Sequence, residues 1–134
     1  MRVAPLIVAC EVLGEKAVSM NDARNVLARL MAVIEDRKRE RPPGSYTAEL
    51  FGGGVDAIGA KLCEEAAELV EAARLTGEDR SKAVIHEAAD LVYHLLVMLA
   101  HCDTTFDAVE AELARRFGVS GIAEKASRKG EDDV

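Results

Sequence analysis

Four carboxylates in the middle of this 134-residue chain are spaced so that they could hold a metal ion. Glu65 and Glu68 are three residues apart, and Glu87 and Asp90 repeat that spacing after eighteen intervening residues. Residues at positions i and i+3 lie on the same side of an α-helix, so each pair would present its two carboxylates together. If the two segments are helices that pack as an antiparallel hairpin, the two pairs face each other.

The residues around the second pair predict that its carboxylates are partly buried. On a helical wheel Glu87, Asp90, His94 and His101 form one narrow polar stripe. Nearly all other positions between 84 and 100 are apolar, so this helix should be covered on most sides. In the first segment Glu65 lies at the border of the apolar stripe, which places it at the edge of the same core.

Such a set of acids has a clear chemical use. Four partly buried carboxylates would repel one another and lose hydration, at a cost of several kcal/mol that a divalent cation removes. An all-oxygen ligand set is what Mg²⁺ prefers, and Mg²⁺ usually keeps coordination positions open for substrate phosphates. The alternative, which the residues alone leave open, is that these acids form the solvated face of an ordinary helical bundle.

The elements that must position these acids are all predicted to be helices. Apolar residues recur at intervals of three and four, and no stretch alternates with period two, so the predicted class is all-α. The glycine-rich segment from Ser45 to Gly54 is predicted to be a loop. The predicted helices are Ala23 to Arg41, ended by Pro42-Pro43-Gly44, Asp56 to about Leu75, Ser81 to Cys102, and Phe106 to Phe117.

One domain accounts for most of the chain. Residues 1 to 20 differ in composition and are predicted to be an N-terminal extension of unclear role. The domain is predicted to span residues 21 to 130, and residues 131 to 134 a disordered tail.

Charge and composition exclude several classes of function. The chain has 17 basic and 24 acidic residues and a net charge of −7, so nucleic acid is not an expected partner. The apolar run from Val3 to Ala9 is too short to span a membrane or to act as an export signal. The three cysteines are widely spaced, which fits a reducing cytoplasm. Of these, Cys63 and Cys102 lie in apolar helical contexts and are predicted to be small core residues.

Longer motifs surround the four carboxylates. They are RPPGSYTAELF at 41 to 51, KLCEEAAE at 61 to 68, EAADLVYHLLVML at 87 to 99 and EKASR at 124 to 128. In these motifs the chain resembles the phosphoribosyl-ATP pyrophosphohydrolases, within the MazG-like all-α nucleotide pyrophosphohydrolases. The signature of that superfamily is ExxE followed by ExxD, and Glu64 completes the EExxE variant of it.

The resemblance implies a homodimer of helical hairpins with a four-helix-bundle-like core. It also implies Mg²⁺-dependent hydrolysis of phosphoribosyl-ATP to phosphoribosyl-AMP and pyrophosphate, the second step of histidine biosynthesis. Glu65, Glu68, Glu87 and Asp90 would hold the metal, with Glu64 as a further candidate, and Glu65 and Glu68 would be catalytic. The alternatives are a housecleaning dNTP pyrophosphohydrolase that uses the same metal set, and a non-catalytic nucleotide-binding helical dimer.

Further candidates for substrate binding each have a structural alternative. Lys61 could meet phosphate or order the carboxylates, or it could form a simple ion pair one turn from Glu65. His94 could touch substrate or be a hydrogen-bonded core histidine. The resemblance also implies contacts to base or phosphate by the polar residues of the first motif and by the basic residues of the last one, which would otherwise be ordinary loop and tail residues. These are Ser45, Tyr46, Thr47, Lys125 and Arg128.

Overall fold

The computed structural model describes residues 26 to 117 as four helices without a strand. These are α1 (Val26–Glu40), α2 (Tyr46–Ala73), α3 (Glu78–His101) and α4 (Phe106–Arg116). The predicted all-α class is therefore confirmed. The N-terminal extension and the tail lie outside the described residues.

The turn between α1 and α2 follows the predicted chemistry. Helix α1 ends two residues before Pro42, and Gly44 has a φ of 79° in the reversal that follows. Ser45 then caps α2, because its side-chain oxygen accepts a hydrogen bond from the backbone N–H of Ala48 at 3.3 Å.

The predicted loop from Ser45 to Gly54 is wrong, because residues 46 to 53 are helical. Leu50 and Phe51 are buried in the core, and this anchoring offsets the helix cost of the two glycines that follow. The break comes only at Gly54, whose φ of 68° and ψ of −157° are non-helical. Helix α2 therefore consists of a short first segment and a long second segment that meet at Gly54.

Replacing Gly54 should be costly, because its φ and ψ lie in a region that is open almost only to glycine. We expect Gly54→Ala to lower the free energy of unfolding by about 1–3 kcal/mol. Gly52 is the matched control, since it is exposed and helical and an added Cβ would meet nothing within 4 Å. Gly52→Ala should be neutral or stabilising by up to about 1 kcal/mol. Urea unfolding of both variants measures the difference, and equal effects would contradict a strained backbone at Gly54.

The core is built where α2 and α3 pack on each other, with α1 against both. A four-residue connection, which includes Gly77 at a φ of 82°, reverses the chain between α2 and α3. The two helices therefore form the predicted antiparallel hairpin. Its buried apolar residues, together with those of α1, are Met31, Ile34, Leu50, Phe51, Ile58, Ala72, Tyr93, Leu96, Val97 and Ala100.

The prediction that Cys63 and Cys102 are core residues is wrong, since both are exposed in this chain. Cys63 lies about 200° around α2 from the buried Glu65 and so points away from α3. Cys102 directly follows the last residue of α3, where the chain leaves the hairpin.

Among the described helices, α3 is the one that is long and apolar enough to cross a membrane by length and composition. The core helix of a soluble protein meets the same criterion. Here α3 packs against α2, and Asp90 and His94 near its middle are completely buried within the chain. These features identify α3 as a core helix.

Candidate metal centre

The hairpin brings the carboxylates of the two helices together. Glu65 and Glu68 of α2 and Glu87 of α3 each offer an oxygen, and these three atoms lie within 4.8 Å of one another. Glu87 and Asp90 form a second such group with His86, on the same helix. The two acidic pairs thus face each other across the hairpin, as the antiparallel packing requires.

These side chains are unusually buried for acids. Glu65 and Asp90 are 0% exposed, and Glu68 is 6% exposed. Within the described part of the chain, neither carboxylate oxygen of Glu65 accepts a hydrogen bond, and neither does Oε2 of Glu87. A buried carboxylate oxygen without a donor is unfavourable unless the group is protonated or a cation supplies the missing interaction.

The pKa of Glu65 reflects the same unfavourable burial of a negative charge. Burial raises the pKa of Glu65 to about 8, with further contributions from the neighbouring Glu68 and Asp90 and a smaller opposing one from Lys61. At neutral pH this carboxyl therefore holds its proton until a positive charge arrives. A divalent cation at the cluster would provide that charge.

The donor set fits Mg²⁺. The four acids offer oxygen atoms from two rigid helices, which is the chemistry that a hard cation selects. An open pocket of about 230 Å³, partly lined by Glu68 and Glu87, borders the cluster and leaves room for a ligand. A larger pocket of about 350 Å³ between α1 and α4 contains none of the four carboxylates, so its size does not make it the better candidate.

Lys61 and Glu64 lie at the rim of the cluster. The Lys61 ammonium is 3.0 Å from Oε2 of Glu64 and 3.9 Å from Oε1 of Glu65. The predicted ion pair is therefore present, and it connects a partly exposed lysine with the exposed Glu64 and the buried Glu65. This geometry is compatible with both predicted roles of Lys61, ordering the carboxylates and meeting a phosphate.

His94 links the face of α3 that carries the carboxylates to the start of α2. Its Nδ1 lies 2.8 Å from the backbone oxygen of Asp90, which can only accept, so Nδ1 carries a hydrogen and donates it. Complete burial lowers the pKa of His94, which favours the neutral ring. Its Nε2 is then an acceptor, and the Tyr46 hydroxyl, 3.0 Å away, donates to it. Both nitrogens of His94 are thereby engaged inside the chain.

The polar residues of the first motif hold the short first segment of α2 in place. Thr47 is buried, and its hydroxyl is hydrogen-bonded to the hydroxyl of Tyr93, while Ser45 is the helix cap. Tyr46 is only partly buried, so its ring keeps a surface that a ligand could meet. The predicted contacts of these three residues with substrate stay predictions, and Lys125 and Arg128 lie outside the described residues.

Two residues at the site were missed at the sequence level. His86 places its Nε2 3.4 Å from Oδ2 of Asp90, and the signal for it was the i, i+4 spacing of the two residues on a helix. Tyr93 bonds Thr47 from 46 positions away, and no local spacing predicts such a contact.

Comparison with known proteins gives a consistent result. The profile of the family described as "Phosphoribosyl-ATP pyrophosphohydrolase" matches residues 27–117. A "Phosphoribosyl-ATP pyrophosphatase" of Rhodopirellula baltica is 50% identical over 107 residues, which are 80% of this chain and 89% of the relative. Proteins of the same description from Trichlorobacter lovleyi and Janthinobacterium sp. (strain Marseille) are 51% and 53% identical. They cover 82% and 78% of this chain and 99% and 96% of their own lengths.

Proposed function

Because the chain belongs to the phosphoribosyl-ATP pyrophosphohydrolase family, we propose that it hydrolyses phosphoribosyl-ATP to phosphoribosyl-AMP and pyrophosphate, in the cytoplasm and as part of histidine biosynthesis. The observation that carries the proposal is the cluster of buried carboxylates on the α2–α3 hairpin. A net charge of −7 leaves the protein dependent on a local positive charge to hold a substrate with a triphosphate chain.

Mg²⁺ would supply that charge and would be held by Glu65, Glu68, Glu87 and Asp90. When bound, it neutralises phosphate oxygens, stabilises the pyrophosphate leaving group and makes a coordinated water more acidic. We assign to the completely buried carboxylate of Glu65, in its ionised form, the role of accepting the proton of the attacking water. The side chain of Glu68 lies beside that of Glu65 in the same cluster of acids and would hold that water in position.

Lys61 is a basic residue in direct contact with the acids at the rim of this cluster. Its ammonium already bridges Glu64 and Glu65, at the partly exposed rim of the carboxylates. A phosphate group that approaches the metal from this side would meet the lysine without displacing any core residue. We assign Lys61 the role of holding the phosphate chain in place.

The protein would act as a homodimer. A single hairpin leaves large apolar side chains uncovered, among them Val70 at 50% and Ile85 at 66% exposure, one on each of its two helices. Light scattering at micromolar concentration should give about twice the chain mass of 14.4 kDa. An active species with the mass of one chain would contradict the dimer.

Pyrophosphate release from phosphoribosyl-ATP, measured with Mg²⁺ and with a chelator, tests the reaction. Release that needs Mg²⁺ is the expected result. The same assay with a panel of dNTPs tests the housecleaning alternative, because a preference for a dNTP would replace the proposed substrate while leaving the metal site intact. No release from any of these nucleotides would favour the non-catalytic alternative.

A further inference from the structure

His86 adds a nitrogen ligand to an otherwise all-oxygen site. We propose that His86, Glu87 and Asp90 form a binding site for a transition-metal ion, which shares Glu87 and Asp90 with the proposed Mg²⁺ set. The inference depends on those two carboxylates being accessible to a metal ion and does not depend on the reaction that the protein catalyses.

The distances suit a bound ion. Adjacent ligands around an ion with metal–ligand bonds of about 2.1 Å are about 3.0–3.4 Å apart. Nε2 of His86 and Oδ2 of Asp90 are 3.4 Å apart. One carboxylate oxygen of Glu87 lies within 4.8 Å of a ligand atom of His86 and of a ligand atom of Asp90. Small rotations of the Glu87 side chain would bring all three atoms into one coordination sphere.

The surroundings also favour a cation at this point. Oε2 of Glu87 is buried and accepts no hydrogen bond from the described residues. The neighbouring Glu65 is completely buried, and its two carboxylate oxygens likewise accept no hydrogen bond from the described residues. His86 approaches the group from the partly exposed side, with 43% of its side chain accessible. An ion could therefore enter from solvent and meet the imidazole first.

The nitrogen decides the class of metal. Imidazole is a good ligand for later first-row ions such as Co²⁺, Ni²⁺ and Zn²⁺ and a poor one for Mg²⁺, which prefers oxygen. The sequence has three histidines, and His94 cannot serve because both of its ring nitrogens are engaged with Tyr46 and Asp90. His101 stacks on Phe51, at the other end of α3 from His86. His86 is thus the histidine that can give this site a preference for transition metals.

Co²⁺ tests the site without reference to activity. The metal-free protein is titrated with CoCl₂ and followed by proton NMR, in which a coordinated imidazole gives a strongly shifted N–H signal that exchanges with solvent. We expect this signal in the wild type and in His101→Gln, and we expect it to be absent in His86→Gln. The affinity for Co²⁺ should fall in His86→Gln by about tenfold more than the affinity for Mg²⁺.

Circular dichroism of His86→Gln establishes that the variant is folded, which an exposed helical position should allow. A shifted imidazole signal that persists in this variant, or no such signal in the wild type at saturating Co²⁺, would overturn the inference. Neither result would alter Mg²⁺-dependent pyrophosphate release by the wild type. Failure of the site and failure of the proposed reaction are thereby distinguishable.

Discussion

Conversion of Glu65 to glutamine should lower Mg²⁺-dependent pyrophosphate release by at least about a hundredfold while the protein stays folded. The amide keeps the shape of the side chain and removes a negative ligand from the cluster. Loss of a residue that only hydrogen-bonds to a metal ligand typically lowers metal affinity or activity by about 10–100-fold. Loss of a direct ligand should therefore lower activity by at least the upper end of that range. Glu68→Gln, Glu87→Gln and Asp90→Asn should behave in the same way.

The control must be an acid that is exposed and remote from the cluster. Glu71 is unsuitable because it lines the open pocket together with Glu68 and Glu87. Glu40, the exposed last residue of α1, is suitable, and Glu40→Gln should leave turnover within about twofold of the wild type. Titration with Mg²⁺, followed by isothermal calorimetry, should show weaker binding in the four site variants and unchanged binding in the control. Near wild-type turnover in all four site variants would remove the proposed metal centre.

The carboxylate cluster could be predicted because its determinants are local. The i, i+3 spacing places each pair on one helix face, and the short connection at Gly77 permits only an antiparallel neighbour. Burial of Asp90 follows from the apolar residues that surround it on the wheel. The roles of these acids in metal binding and catalysis remain predictions.

The first segment of α2 could not be predicted from local signals. Three consecutive glycines indicate a loop. The helix forms nevertheless, because Leu50 and Phe51 pack in the core and Thr47 is hydrogen-bonded to Tyr93 on α3. The engagement of His94 with Tyr46 is likewise a contact over 48 positions, and only the packed chain reveals it. The exposure of Cys63 was missed because apolar neighbours in the sequence do not by themselves place a residue on the buried face of a helix, and Cys63 lies about 200° around α2 from Glu65.

The metal-free protein should lose stability as the pH rises, and Glu65 should be a principal cause. The pKa of Glu65 is about 8 in the folded state, against an ordinary value of 4.5 that applies to the unfolded chain. The folded state therefore binds this proton more tightly than the unfolded state. The stability that this proton contributes is fully present below about pH 4.5 and is lost as the pH rises through about 8. We expect the effect to be on the order of a few kcal/mol, as the shift of the pKa indicates.

The difference between wild type and Glu65→Gln isolates this contribution, because other titrating groups are common to both proteins. Without metal, urea unfolding should show the variant gaining stability relative to the wild type as the pH increases from about 5 to about 9. Glu40→Gln, whose carboxylate is exposed, should show no such trend. Saturating Mg²⁺ should reverse the order at high pH, since an ion at a hundred times its Kd stabilises the wild type by about 2.7 kcal/mol and the variant by less. A pH-independent difference between wild type and Glu65→Gln would show that Glu65 is ionised in the metal-free fold, and the cluster would then need no cation to relieve it.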